Sequence, residues 1–161
     1  MRLSEHPAGI EIGEGRHVVY EIAADAAFFG AATVNTHAVL WELDEPGPGH
    51  LVRCDRVDFP PGGIAYRHVH PGHGIRRILH GELTIDRGCG DRRTYRAGES
   101  WHEGADDPVL ATASADEETA FVRVMILPAE WAGRRTIRYV DPADEDKPRL
   151  QRATVLLDVP L

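Results

Sequence analysis

Residues 62–85, GGIAYRHVHPGHGIRRILHGELTI, hold four of the chain's nine histidines: His68, His70, His73 and His80. They sit in a pattern that otherwise alternates as a β-strand does. On a strand, residues i and i+2 project from one face with α-carbons about 7 Å apart. The imidazoles of His68 and His70 can therefore lean toward one ion at roughly 2 Å each, which makes His-x-His a natural half-site for a transition metal. Completion needs one or two more ligands from a neighbouring strand. The plainer alternative is a polar, solvated strand face. Ile64 and Tyr66 share the parity of the histidines and read as half-buried, so the pair is expected to point inward with them.

The elements that must position these residues read as strands. Runs rich in β-branched and aromatic residues recur between Gly, Pro and Asp punctuation at 17–22, 39–43, 51–59, 64–70, 75–80, 83–86, 92–95, 100–103, 109–113, 120–127, 137–140 and 154–159. Only 21–32 has the composition of a helix, and Gly30 interrupts it. DRGCGD at 86–91 reads as a hairpin loop, and RAGES at 96–100 places Gly98 at a tight turn. The pattern predicts an all-β sandwich or barrel. After Pro128 a polar, proline-containing connection leads to the apolar strand ATVLLDVPL, which must be covered by the sandwich or across a dimer interface.

The histidine stretch resembles the first motif of the cupin superfamily, G-x5-H-x-H-x(3,4)-E-x6-G. Gly62 lies six residues before His68, His70 follows in register, and Gly81 falls at the closing glycine. The resemblance covers about residues 50–127. It implies a double-stranded β-helix, or jelly-roll barrel, with a pocket at its mouth where such families often hold a metal. The expected division is an N-terminal extension at 1–49, a barrel core at 50–127, and a C-terminal extension at 128–161 packing on the barrel or a dimer partner. Two departures bear on the site. The acidic ligand position is Gly74. In a second motif starting at Gly98, the histidine and asparagine positions hold Val109 and Ala113.

His102 and His73 are the replacements at hand for the missing ligands. The set His68, His70, His102 and His73 then predicts one divalent transition metal ion; imidazole suits Fe, Zn, Ni or Cu over Mg or Ca. In the cupin-like register Arg76 points inward and Arg77 outward. A buried guanidinium needs a partner, either Glu82, Glu103 or another acid, or the carboxylate or phosphate of a substrate. Tyr66 and Trp101 are candidate pocket walls, and Arg76 and Tyr66 the candidates for acting on a substrate.

Composition limits the partners. The 161 residues carry a net charge of −8, which argues against nucleic acid while leaving room for one basic pocket. Of the 18 basic residues only Lys147 is a lysine. Cys54 and Cys89 fit no C-x-x-C pattern and read as free thiols of a reducing compartment. No secretory leader and no membrane span is expected, so the location is read as cytoplasmic. Two functions remain. One is a metal-dependent cupin enzyme, a dioxygenase, cyclase or isomerase acting on an acidic or aromatic metabolite. The other is a non-catalytic cupin that binds or senses a small molecule. Either is expected to form a homodimer through the C-terminal strand.

Overall fold

The structure, a computed structural model, describes residues 49–160 and, before them, four strands. These are β1 (Arg2–His6), β2 (Gly9–Gly13), β3 (His17–Tyr20) and β4 (Val39–Glu42). They belong to a compact unit, Met1–Pro48, in which β1 pairs with β2 and β3 with β4, both antiparallel. The helix expected at 21–32 lies outside the described residues.

The second unit, Gly49–Leu161, is the barrel. Its strands are β5 (His50–Phe59), β6 (Ile64–Val69), β7 (Gly74–His80), β8 (Glu82–Gly88), β9 (Asp91–Arg96), β10 (Ser100–Glu103), β11 (Val109–Ala113), β12 (Thr119–Pro128), β13 (Arg138–Tyr139) and β14 (Arg152–Pro160). Two five-stranded antiparallel sheets form, with orders β10-β7-β12-β5-β14 and β13-β6-β11-β8-β9. The fold is a double-stranded β-helix.

Alternation builds the interior. Leu83 and Ile85 on β8, and Val109, Ala111 and Ala113 on β11, are buried while their neighbours are half-exposed. They face Val57, Phe59, Trp101 and Phe121 in one core. Trp101 stacks on Tyr95 with ring centroids 4.8 Å apart and meets Phe121 edge-on at 5.5 Å. Such pairs contribute about 0.5–1.5 kcal/mol each beyond the area they bury. At Gly81, between β7 and β8, φ is +72° and a Cβ would run into Glu118 and Thr119. The closing glycine of the motif is thus a backbone requirement.

The C-terminal segment joins the sheets themselves. β14 pairs with β5, and β13 pairs with β6. Arg53, 2% exposed, fastens the connection. Its guanidinium donates to both carboxylate oxygens of Asp158 at 3.2 and 2.8 Å, and to the carbonyls of Arg134 and Trp131 at 2.6 and 2.7 Å.

Candidate functional site

The histidine pair owes its direction to an irregularity in β6. Val109 of β11 sits opposite His68, whereas Ala111 sits opposite Ala65. Two steps on β11 thus match three on β6, a bulge that shifts side-chain parity by one. Ala65 faces inward before the bulge, and His68 and His70 face inward after it. Tyr66 does not line the cavity. It is half-buried outside it, with the ammonium of Lys147 4.4 Å from its ring centroid. Tyr66 thus parts from the histidines with which an unbroken strand would have grouped it, because the bulge falls between them.

Both imidazoles are fixed in one tautomer. His68 Nδ1 lies 2.7 Å from the Tyr66 carbonyl, and His70 Nδ1 lies 3.3 Å from the Thr136 carbonyl. A carbonyl only accepts, so Nδ1 carries the proton in each ring. The rings meet edge-on, 4.9 Å between centroids. Burial lowers the pKa of His68 to about 4, and burial together with the Arg123 charge holds His70 well below its ordinary value. Both are neutral at pH 7. His70 Nε2 accepts from Arg123 NH1 at 3.1 Å, since a guanidinium has no lone pair to offer. His68 Nε2 meets no hydrogen-bond partner among the described residues.

Two buried ion pairs flank the imidazoles. Arg123 is gripped by Asp55, Nε to Oδ1 at 2.5 Å and NH2 to Oδ2 at 3.0 Å, and also donates to Thr136 Oγ1 at 3.3 Å. Arg76, 1% exposed, pairs with Glu103 at 2.7 Å and donates to the Gly74 carbonyl at 2.7 Å. Glu103 also accepts from Trp101 Nε1 at 2.7 Å. Of the partners considered for Arg76, Glu103 is the one found. Arg76 and Arg123 stand opposite each other on β7 and β12, a like-charge juxtaposition tolerable only because each has its own carboxylate.

These groups line one cavity of about 360 Å³, at the small end of the range for small-molecule sites. Its apolar part is made by Val57, Phe59, Leu83, Ile85, Trp101 and Phe121. Its polar part carries the histidines and the two ion pairs, and Arg134, Arg135 and Arg149 stand exposed around it. Arg135 and Arg149 share one acid, Glu145, at 3.1 and 2.5 Å. Among the described residues, six arginines and two acids line the cavity. Counting Asp158 and Glu145, which pair with them, two positive charges remain in excess.

The donor set does not fit a resident metal ion. His70 directs its one lone pair at a guanidinium, leaving His68 Nε2 as the one open imidazole nitrogen among the described residues that line the cavity. At the acidic position of the motif, a Cβ on Gly74 would lie 2.6 Å from the Val124 carbonyl and 3.1 Å from Arg76 NH1. Arg76 thus folds over the place a carboxylate side chain would leave from. His73 and His102, the expected completing ligands, do not line the cavity. Trp101 and Glu103 take the inward face of β10, so His102 turns away and stacks on His73 at 5.7 Å. Among the described residues no group of three His, Cys, Asp or Glu side chains is placed to hold a metal. Among the described residues that line the cavity there is no cysteine; Cys54 is buried, and burial and the neighbouring Asp55 push its thiol pKa up.

Asp55, Arg123 and Arg53 were not among the expected site residues. The available signal was alternation. Arg53, Asp55, Val57 and Phe59 share one face of β5, and Arg123 is the single charge in the buried run of β12.

The chain matches the family model of the cupin domain over residues 55–125. No curated protein matches it. Among solved structures it is similar to oxalate oxidase, with 22% identity over 60% of this chain and 57% of that one, TM-score 0.46. It is also similar to the DMSP lyase DddQ of Ruegeria pomeroyi, with 21% identity over 56% and 44%, TM-score 0.49. A third is the polyketide cyclase RemF of Streptomyces resistomycificus, with 19% identity over 67% and 87%, TM-score 0.46. The chain spans about half the length of the first two.

Proposed function

We propose that the chain is a small-molecule-binding cupin whose barrel takes an amphipathic organic acid, its flat apolar body against Trp101, Phe121 and Phe59 and its anion toward the exposed arginines. The observation that carries this reading is the charge of the cavity. A chain of net charge −8 gathers six arginines around one apolar hollow. A local positive field concentrates anions there, while the apolar walls reward a ring that leaves water. The metal-enzyme reading is set aside because His70 Nε2 faces Arg123.

Titration calorimetry with benzoate, a minimal member of the class, tests the proposal. Binding should weaken as salt rises and weaken further in the Arg134→Glu, Arg149→Glu variant. Benzoate that does not bind, or binds with no response to either change, would sink it. So would stoichiometric metal in protein purified without a nickel column and lost in the His68→Ala, His70→Ala variant.

A cytoplasmic homodimer belongs to the same reading. Its supports are the free thiols Cys54 and Cys89 and the exposed Val155 and Leu156 on edge strand β14. Light scattering that gives only the 17.8 kDa monomer would remove the dimer. No helix among the described residues is long and apolar enough to cross a membrane.

A further inference from the structure

The polar end of the cavity is specified more closely than an anion site requires. Asp55 and Glu103 neutralise the two buried guanidiniums that face the histidines, so the inner polar wall carries no net charge to offer a carboxylate. What it offers is one acceptor and one donor. The Tyr66 carbonyl holds the proton of His68 on Nδ1, which leaves the Nε2 lone pair directed away from the backbone in a cavity-lining ring. Arg123 spends Nε and NH2 on Asp55 and Thr136 and one NH1 hydrogen on His70. Its second NH1 hydrogen has no acceptor among the described residues.

We infer that the ligand of this cavity carries a hydroxyl group on its apolar body, which donates to His68 Nε2 and accepts from Arg123 NH1. A hydroxyl both donates and accepts, whereas a carboxylate only accepts and would face the His68 lone pair unfavourably. A ligand without the hydroxyl would strand a buried acceptor and a buried donor away from water. That penalty lets such a site reject the analogue lacking the group. Arg123, seated by Asp55, thereby places a fixed cation beside His70 and makes the pair a reader of neutral oxygen. The inference rests on the acid-binding reading and adds to it the chemical class of the ligand: a hydroxylated, ring-containing organic acid.

Benzoate and its ortho-, meta- and para-hydroxy derivatives make a matched set. At least one isomer should bind about ten-fold more tightly than benzoate, the value of one well-placed buried hydrogen bond. His68→Leu should erase that margin, because the favoured isomer loses its acceptor while benzoate no longer strands one. On the wild type, the imidazole nitrogen signal of His68 Nε2 should move with the favoured isomer and stay with benzoate, a readout that does not depend on the variant folding. Equal binding of all four acids, a margin that survives His68→Leu, or an Nε2 signal that moves alike for both would overturn the inference and leave the acid-binding reading standing. If none of the four binds, both fall together.

Discussion

Replacing Asp55 by Asn tests whether the Arg123–Asp55 pair organises the site. In the native barrel Arg123 is 8% exposed, and both of its carboxylate contacts come from Asp55. Charges about 4 Å apart at an effective dielectric near 20 attract by about 4 kcal/mol. Removing one partner of a buried pair costs about 3–5 kcal/mol, because the other charge is left uncompensated. Urea unfolding followed by tryptophan fluorescence reads the change. With a slope of about 2 kcal/mol per molar, the midpoint should fall by roughly 2 M. The doubly apolar Asp55→Leu, Arg123→Met variant should recover most of the loss. It no longer buries a charge, although His70 Nε2 loses its donor at a cost of about 1 kcal/mol. A single variant within about 1 kcal/mol of wild type would refute the coupling, and so would a double variant no better than the single.

Acid should destabilise the barrel through the buried histidines. The folded-state pKa of His68, about 4, lies below the ordinary 6.5, so the unfolded chain binds more protons between those values and stability falls as pH drops through that window. At pH 5 the His68 contribution is about 2 kcal/mol relative to pH 7, and His70 adds to it in the same direction. Equal urea midpoints at pH 7 and pH 5 would contradict this. Arg53→Met should loosen the C-terminal strap, because Asp158 and the carbonyls of Trp131 and Arg134 lose their shared donor. Trypsin should then cut at the exposed Arg134 and Arg135 about ten-fold faster than in wild type, a rate set by local opening. An unchanged cleavage rate would show that the strap is held by other contacts.

The strand-rich plan of the barrel is legible in its sequence because alternation and turn chemistry are local. Each strand expected from 51 to 127 is found, with ends shifted by a residue or two. The two short strands before residue 14 escape such a reading: five residues each, RLSEH and GIEIG, are too few to outweigh the polar and glycine content around them. The site is less legible, for two physical reasons. Parity along β6 carries across residues only while the strand is regular, and the bulge that turns His68 and His70 inward leaves Tyr66 outside. Nothing in AYRHVH marks that extra residue, because it is set by pairing with β11.

The second reason could have been worked out beforehand. Trp101 as a pocket wall and His102 as an inward ligand are incompatible on a regular strand, since neighbours project to opposite faces. Burial decides between them: an indole gains far more from the interior than an imidazole, so Trp101 goes in and His102 goes out. The same logic reaches Arg123, a lone charge in AFVRVMILP that must find an acid on an adjacent strand, and β5 supplies Asp55 directly opposite. It reaches Gly74 as well. A Cβ there would meet the Val124 carbonyl at 2.6 Å and Met125 Cγ at 2.8 Å before Arg76 NH1 at 3.1 Å, so the neighbouring strand, and the guanidinium after it, leave no room for a side chain at 74. Where the motif expects a carboxylate aimed at a cation, this barrel has no space for one and seats a cation of its own, paired with Glu103.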